Sequence, residues 1–95
     1  VYATEVENVL MSHADITDVV VIGLVDEGYG EAVVAVCVRA ENSSASDRDM
    51  IAYCREHLAG YKIPRRYEYL DELPRNAAGK LLKRELRERF DDVTE

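Results

Sequence analysis

The chain has 95 residues, 47% of them hydrophobic and 33% charged, and its 19 acidic and 12 basic side chains leave a net charge of −7. A domain of this size buries only about 60–65% of its unfolded surface, enough for one sheet and a few helices but not for a deep pocket around a nucleotide and a second substrate. The acidic balance argues against general nucleic-acid binding, and no apolar run reaches the roughly 20 residues that a membrane span needs.

The first residue is Val1, with no initiator methionine or signal peptide, so the chain reads as a soluble piece of something longer, with 1–95 as one domain. Thr4-Glu5-Val6-Glu7 has the spacing of a capping box, in which the Thr hydroxyl and the Glu7 carboxylate satisfy each other's backbone donors. Val6, Val9, Leu10 and His13 then follow at helical spacing. His13 reads as a core-edge or cap residue, and neither it nor His57 has a partner at zinc spacing, so no metal site is expected. Ile16 to Val25 is rich in β-branched residues and fits a strand buried on both faces. Asp26 to Gly30 reads as a turn, and Glu31 to Ala40 as a second strand closing an antiparallel hairpin. Gly28-Tyr29-Gly30-Glu31 is too short and wrongly placed to be a dinucleotide fingerprint.

Glu41 to Ala45 is a polar loop. Ser46 caps the next helix, with Asp47 and Asp49 in its first turn and Met50, Ile51, Cys54 and Leu58 on its inner face. Gly60 stops that helix and Pro64 bars its continuation. Arg66 to Asp71 alternates as a third strand, Leu73 to Gly79 is loop, and Leu81, Leu82, Leu86 and Phe90 recur at helical spacing before a frayed end at 91–95. The expected fold is α+β in the order α-β-β-α-β-α: a small, mainly antiparallel three-stranded sheet with packed helices. Cys37 and Cys54 fall on apolar faces and read as buried free thiols in a reducing cytoplasm.

The charge is unevenly spread. Residues 1–59 carry three basic and eleven acidic groups, whereas residues 60–89 carry nine basic and five acidic ones. The basic stretch reads either as a solvated helix face with Arg84–Glu88 and Glu85–Arg89 pairs at i,i+4 spacing, or as a surface for a phosphorylated ligand. Within it lies PRNAAGK, Pro74 to Lys80. This is not a P-loop, because Pro74 takes the first glycine position and Leu81 follows the lysine where a hydroxyl is needed. What remains is one flexible cation on a short mobile segment. Pro74 stiffens its start, Asn76 favours a turn, and Gly79 permits close backbone approach to another surface. Lys80 reads either as an ordinary exposed lysine or as a charge that reaches into the cleft of another domain.

Three stretches together resemble the C-terminal lid of the AMP-forming adenylating enzymes, in the acyl-CoA synthetase or fatty-acid–CoA ligase branch. Val1 to Glu7 is similar to the family's Y-P-x-E-[IV]-E opening. Gly60-Tyr61-Lys62-Ile63-Pro64 is similar to the aromatic-Lys-x-Pro segment of the acyl-CoA synthetases, and LPRNAAGK, Leu73 to Lys80, is similar to L-P-x-x-x-x-G-K. Asp18 to Gly23 and Gly30-Glu31 fall where members have similar residues. One departure is Ala3, where the family usually has proline. The hinge residue of the family would lie upstream of Val1.

The resemblance implies an acid–thiol ligase reaction in two halves. A carboxylic acid attacks the α-phosphate of ATP to give an acyl-adenylate and pyrophosphate, and the thiol of coenzyme A then displaces AMP. It implies that ATP, Mg and the acid are held mainly by a separate N-terminal adenylation domain, and that this chain, inactive alone, rotates between the halves. Lys80 would be the catalytic lysine of the first half, supported by Pro74 and Gly79. Arg55, Tyr61 and Arg65 match positions that contact coenzyme A in the synthetase branch, though each also reads as an ordinary helix, packing or surface residue. Acetylation of Lys80 would remove its charge. Two other readings stay open: a lid that loads a carrier protein, and a non-catalytic module that binds or senses a phosphorylated ligand.

Overall fold

The computed structural model describes residues 3–26 and 30–91. In chain order these form α1 (Ala3–Met11), β1 (Ile16–Asp26), β2 (Gly30–Arg39), α2 (Asp47–Arg55), a 3₁₀ turn at Gly60–Lys62, β3 (Arg66–Tyr69) and α3 (Lys83–Asp91). The expected order α-β-β-α-β-α therefore holds. Val1 and Tyr2 of the first motif, residues 27–29 within the expected Asp26 to Gly30 turn, and residues 92–95 lie outside the described residues. None of the described helices is long and apolar enough to cross a membrane.

The sheet order is β1-β2-β3. β1 and β2 pair antiparallel along their whole length, from Ile16↔Arg39 to Asp26↔Gly30. β3 adds to β2 in parallel, from Val34↔Arg66 to Cys37↔Tyr69, so the sheet is mixed, with the antiparallel pair dominant. Parallel pairing follows from the connection: α2 lies between β2 and β3, and a crossover of that length returns the chain in its original direction.

Side chains of a strand alternate between its two faces, and here both faces are apolar. Val19 and Val21 of β1, with Ala35 and Cys37 of β2, pack against Val6 and Leu10 of α1 and Met50 and Cys54 of α2. Val20 and Ile22, with Val34 and Val36, pack on the opposite face against Leu73, Leu86 and Phe90. The strands are thus buried on both sides, between α1 with α2 on one face and α3 with the loop before it on the other. Cys37 and Cys54 are free and buried, as expected. Burial pushes the Cys37 thiol up to about 12, with nearby Cys54 adding to the effect, and burial also raises Cys54.

Local chemistry explains the helix boundaries. Ser46 caps α2 through a complete capping box, its hydroxyl accepting from the Asp49 N–H while the Asp49 carboxylate accepts from the Ser46 N–H. The expected box at Thr4 does not form. α1 begins at Ala3, so Thr4 already lies within the helix, and the Glu7 carboxylate instead accepts from the backbone N–H of Val21 at 2.8 Å, tying α1 to β1. α2 ends at Arg55 rather than at Gly60. Leu58 reaches the core from the turn that follows, its N–H donating to the Cys54 carbonyl at 2.8 Å. α3 starts at Lys83, later than the leucine spacing suggests: Leu81 pairs with Arg75 in an isolated antiparallel bridge, and the Leu82 N–H donates to the Pro74 carbonyl. Arg84 and Glu88 form the expected i,i+4 pair at 3.6 Å, both well exposed. His13 sits at the end of α1, its Nδ1 accepting from the Asp15 N–H.

Candidate functional site

Lys80 closes a small hairpin between β3 and α3. The Arg75↔Leu81 bridge forms its base, and the Asn76 N–H donates to the Lys80 carbonyl at 3.0 Å while the Gly79 N–H donates to the Asn76 carbonyl at 2.9 Å. The Asn76 side chain completes the turn: its Oδ1 accepts from the N–H of Ala78 at 2.9 Å and of Lys80 at 3.0 Å. Asn76 supplies the local bonding expected of it, and the segment before Lys80 forms a hydrogen-bonded turn. Gly79 has φ +84, a conformation that disfavours any residue with a Cβ, while a Cβ built there would meet nothing within 4 Å. Within this chain its glycine thus answers a dihedral requirement rather than a crowded contact.

The hairpin is joined to the body of the domain at both ends. Leu73 is buried in the α3-side cluster and Leu81 packs partly against it. Residues 75–80 themselves are exposed, and among the described residues the Lys80 ammonium has no ion-pair or hydrogen-bond partner. Its base holds a longer-range contact that local sequence patterns do not reveal: Arg75 Nη2 donates to Asp18 Oδ2 at 2.8 Å across 57 residues of chain.

A second feature lies on the other side of the sheet. Arg55 and Arg65 line an open groove of about 460 Å³ floored by Ile51, Leu58, Ile63 and Pro64. Leu58 belongs to the cluster under α1 and α2, and Ile51 and Ile63 pack against it. Pro64 is fully buried and fixes the chain where it turns from the 3₁₀ segment into β3. Among the described residues neither Arg55 nor Arg65 has an ion-pair partner, so two guanidiniums border an apolar floor with their charges available to an anion. Tyr61 is not part of the lining. It stands out at 75% exposure beside the groove, with the Lys62 ammonium 5.8 Å from its ring centroid, and Lys62 also pairs with Glu5 at 2.7 Å. The structure therefore brings Arg55 and Arg65 together on a groove whose floor adjoins the α1–α2 cluster, leaves Tyr61 out of the lining, and packs the ends of the Lys80 hairpin with the α3 cluster.

The chain matches the family described as AMP-binding enzyme C-terminal domain over residues 5–80. It is 47% identical over 90 residues to the fatty acid–[acyl-carrier-protein] ligase ScoC of Streptomyces coeruleorubidus, covering 95% of this chain and 17% of that protein. It is 46% identical over 87 residues to the 2-succinylbenzoate–CoA ligase of Geobacillus kaustophilus, covering 92% of this chain and 18% of that protein. Among solved structures, ATP-bound MatB from Rhodopseudomonas palustris superposes with a TM-score of 0.94 at 30% identity, covering all of this chain and 19% of that one. The chain thus spans less than a fifth of the length of these relatives. With the motif match running from α1 to the hairpin lysine, the chain belongs to the AMP-binding enzyme C-terminal domain family.

Proposed function

We propose that this chain is the lid of an AMP-forming acyl-CoA synthetase, in which Lys80 serves acyl-adenylate formation and the groove of Arg55 and Arg65, with Tyr61 at its edge, serves the thiol step. In the first half-reaction a carboxylate approaches the α-phosphate of ATP, and two anions must be brought together. A cation between them offsets the repulsion and stabilises the charge that develops in the in-line transition state. The Lys80 ammonium, without a partner among the described residues, suits that task, carried on a turn that Pro74 and Gly79 shape. In the second half, guanidiniums suit the phosphates of coenzyme A, and an exposed aromatic ring can stack on adenine.

The observation that carries this reading is the opposition of the two features. Lys80 rises from the α3 side of the sheet and the arginine groove opens on the α1–α2 side. One rigid lid cannot offer both to a single active site at once, which fits two half-reactions separated by a rotation. ATP, Mg and the acid would be held mainly by the N-terminal adenylation domain of the parent polypeptide.

A second reading differs only in the thiol. The similarity to a fatty acid–[acyl-carrier-protein] ligase favours a phosphopantetheine arm on a carrier protein, for which the same groove would take the phosphate end. The test is a screen of carboxylic acids for acid-dependent exchange of labelled pyrophosphate into ATP by the parent polypeptide, followed by transfer to coenzyme A or to a carrier protein. Acid-dependent exchange with transfer to coenzyme A is the expected result. Transfer to the carrier protein alone selects the second reading, and no exchange with any acid contradicts both.

A further inference from the structure

The hairpin that carries Lys80 is exposed, yet one side chain ties it to the sheet. Between Ile16 and Asp18 the register of β1 against β2 shifts, with two steps on β1 opposing one on β2. Such a bulge re-aims the side chains that follow it. Beyond it Asp18 shares the parity of Val20 and Ile22 and so lies on the α3 side of the sheet, the side of the hairpin. Its carboxylate is held in place, Oδ1 accepting from the Val19 N–H at 3.0 Å and Oδ2 from Arg75 Nη2 at 2.8 Å. The other terminal nitrogen of Arg75, Nη1, donates to the Gly79 carbonyl at 3.3 Å. A single guanidinium thus spans from β1 to the carbonyl of the residue immediately before Lys80.

The bonds around Asn76 shape the turn internally but do not aim it. Among the described residues, the Arg75 guanidinium connects its tip, at the Gly79 carbonyl, to β1, at Asp18. We propose that Arg75, held by Asp18, is a positioning residue for Lys80: it fixes the angle of the hairpin against the sheet, and so the place where the ammonium arrives when the domain closes on its partner. The functional half of this inference rests on the reading of Lys80 given above, and the structural half on the geometry alone.

Magnitudes separate this role from a merely stabilising one. The two side chains are 44% and 35% exposed, and exposed ion pairs add little to global stability because water screens them. A catalytic group displaced by about 1 Å can nevertheless cost up to about 100-fold in rate. The signature of a positioning residue here is therefore a slower adenylation step at nearly unchanged stability.

The test uses Arg75→Ala, Asp18→Asn, the double variant and Arg75→Lys. In this chain, backbone ¹⁵N order parameters at residues 76–80 are expected near 0.8 in the wild type and to fall toward about 0.6 in Arg75→Ala, with little change in the thermal midpoint. In the parent polypeptide, Arg75→Ala is expected to lower kcat for acid-dependent pyrophosphate exchange about 10-fold, with KM for ATP little changed and thioester formation from supplied acyl-AMP retained. The double variant should be no worse than Arg75→Ala, because both act through one contact. Arg75→Lys should recover part of the rate, since it reaches Asp18 but cannot bridge to Gly79 as well. Unchanged order parameters with unchanged exchange, or equal loss in both half-reactions, would overturn the proposal. Lys80→Ala run alongside keeps the two ideas apart. If it spares adenylation, the reading of Lys80 fails and takes the functional half of the clamp with it. If it blocks adenylation while Arg75→Ala does not slow it, the clamp alone fails.

Discussion

Replacing Gly79 by alanine isolates the backbone requirement of the lysine hairpin. The added Cβ meets no atom beyond the adjacent residues within 4 Å, so no tertiary clash contributes, and the penalty comes from the local backbone at φ +84. Holding an L-residue in that region costs roughly 1–2 kcal/mol. For a domain of this size each kcal/mol lowers the thermal midpoint by about 4–8 °C, so a loss of that order is expected if the turn keeps its shape. Gly60 is the internal control. It also has open space around it and it lacks a positive φ, so Gly60→Ala should be neutral or stabilising by up to about 1 kcal/mol through a less disordered unfolded chain. Gly79→Asn should fall between, because asparagine visits the left-handed region more readily than alanine. Urea unfolding of the three variants, with the denaturant slope unchanged, is the assay. A Gly79→Ala variant as stable as Gly60→Ala would refute the claim that the dihedral is what demands glycine.

Leu86, fully buried on the inner face of α3, should cost about 2–5 kcal/mol when cut to alanine, measured by the same unfolding curves. The thiols of Cys37 and Cys54, both raised by burial, are protonated at pH 8. An alkylating reagent should therefore modify them only as fast as the chain unfolds, and rapid labelling of the native protein would contradict their burial. Asp49 is held below its usual 3.8, first by the Ser46 backbone N–H and then by the Ser46 hydroxyl. A carboxyl depressed in the fold adds stability above its unfolded value and loses it as pH falls through the folded one. The stability gap between wild type and Asp49→Asn should accordingly be widest near neutrality and close in acid; a gap that widens in acid would reverse the assignment.

The hydrophobic pattern makes most of this fold readable from sequence. The β-branched run Ile16 to Val25 announces a strand buried on both faces, and Ser46 with Asp49 announces the start of α2. Patterns fail where a residue's partner is distant. Thr4 and Glu7 have capping-box spacing, but Glu7 binds Val21 on the neighbouring strand, which local spacing cannot register. The parallel pairing of β3 depends on α2 lying between two strands, and β3 is only four residues long. Leu81 and Leu82 repeat at helical spacing yet serve as the closing limb of the hairpin, because Arg75 and Pro74 offer backbone partners first. The site is legible to the same degree. The Gly79-Lys80 step and the turn propensity of Asn76 are local, whereas the Asp18–Arg75 contact spans 57 residues and leaves no trace in any window. The same limit hid the convergence of Arg55 and Arg65 on one groove and the place of Tyr61 outside it.

In the proposed function, the Lys80 charge serves one half-reaction and not the other. Two unit charges about 4 Å apart interact by roughly 4 kcal/mol at an effective dielectric of 20, so removing this one should slow its step by about two to three powers of ten. The direct measurement compares Lys80→Ala with wild type in the parent polypeptide, in acid-dependent pyrophosphate exchange and in thioester formation from supplied acyl-AMP. Exchange should collapse while thioester formation persists. Equal loss of both, or exchange at the wild-type rate, would contradict the account.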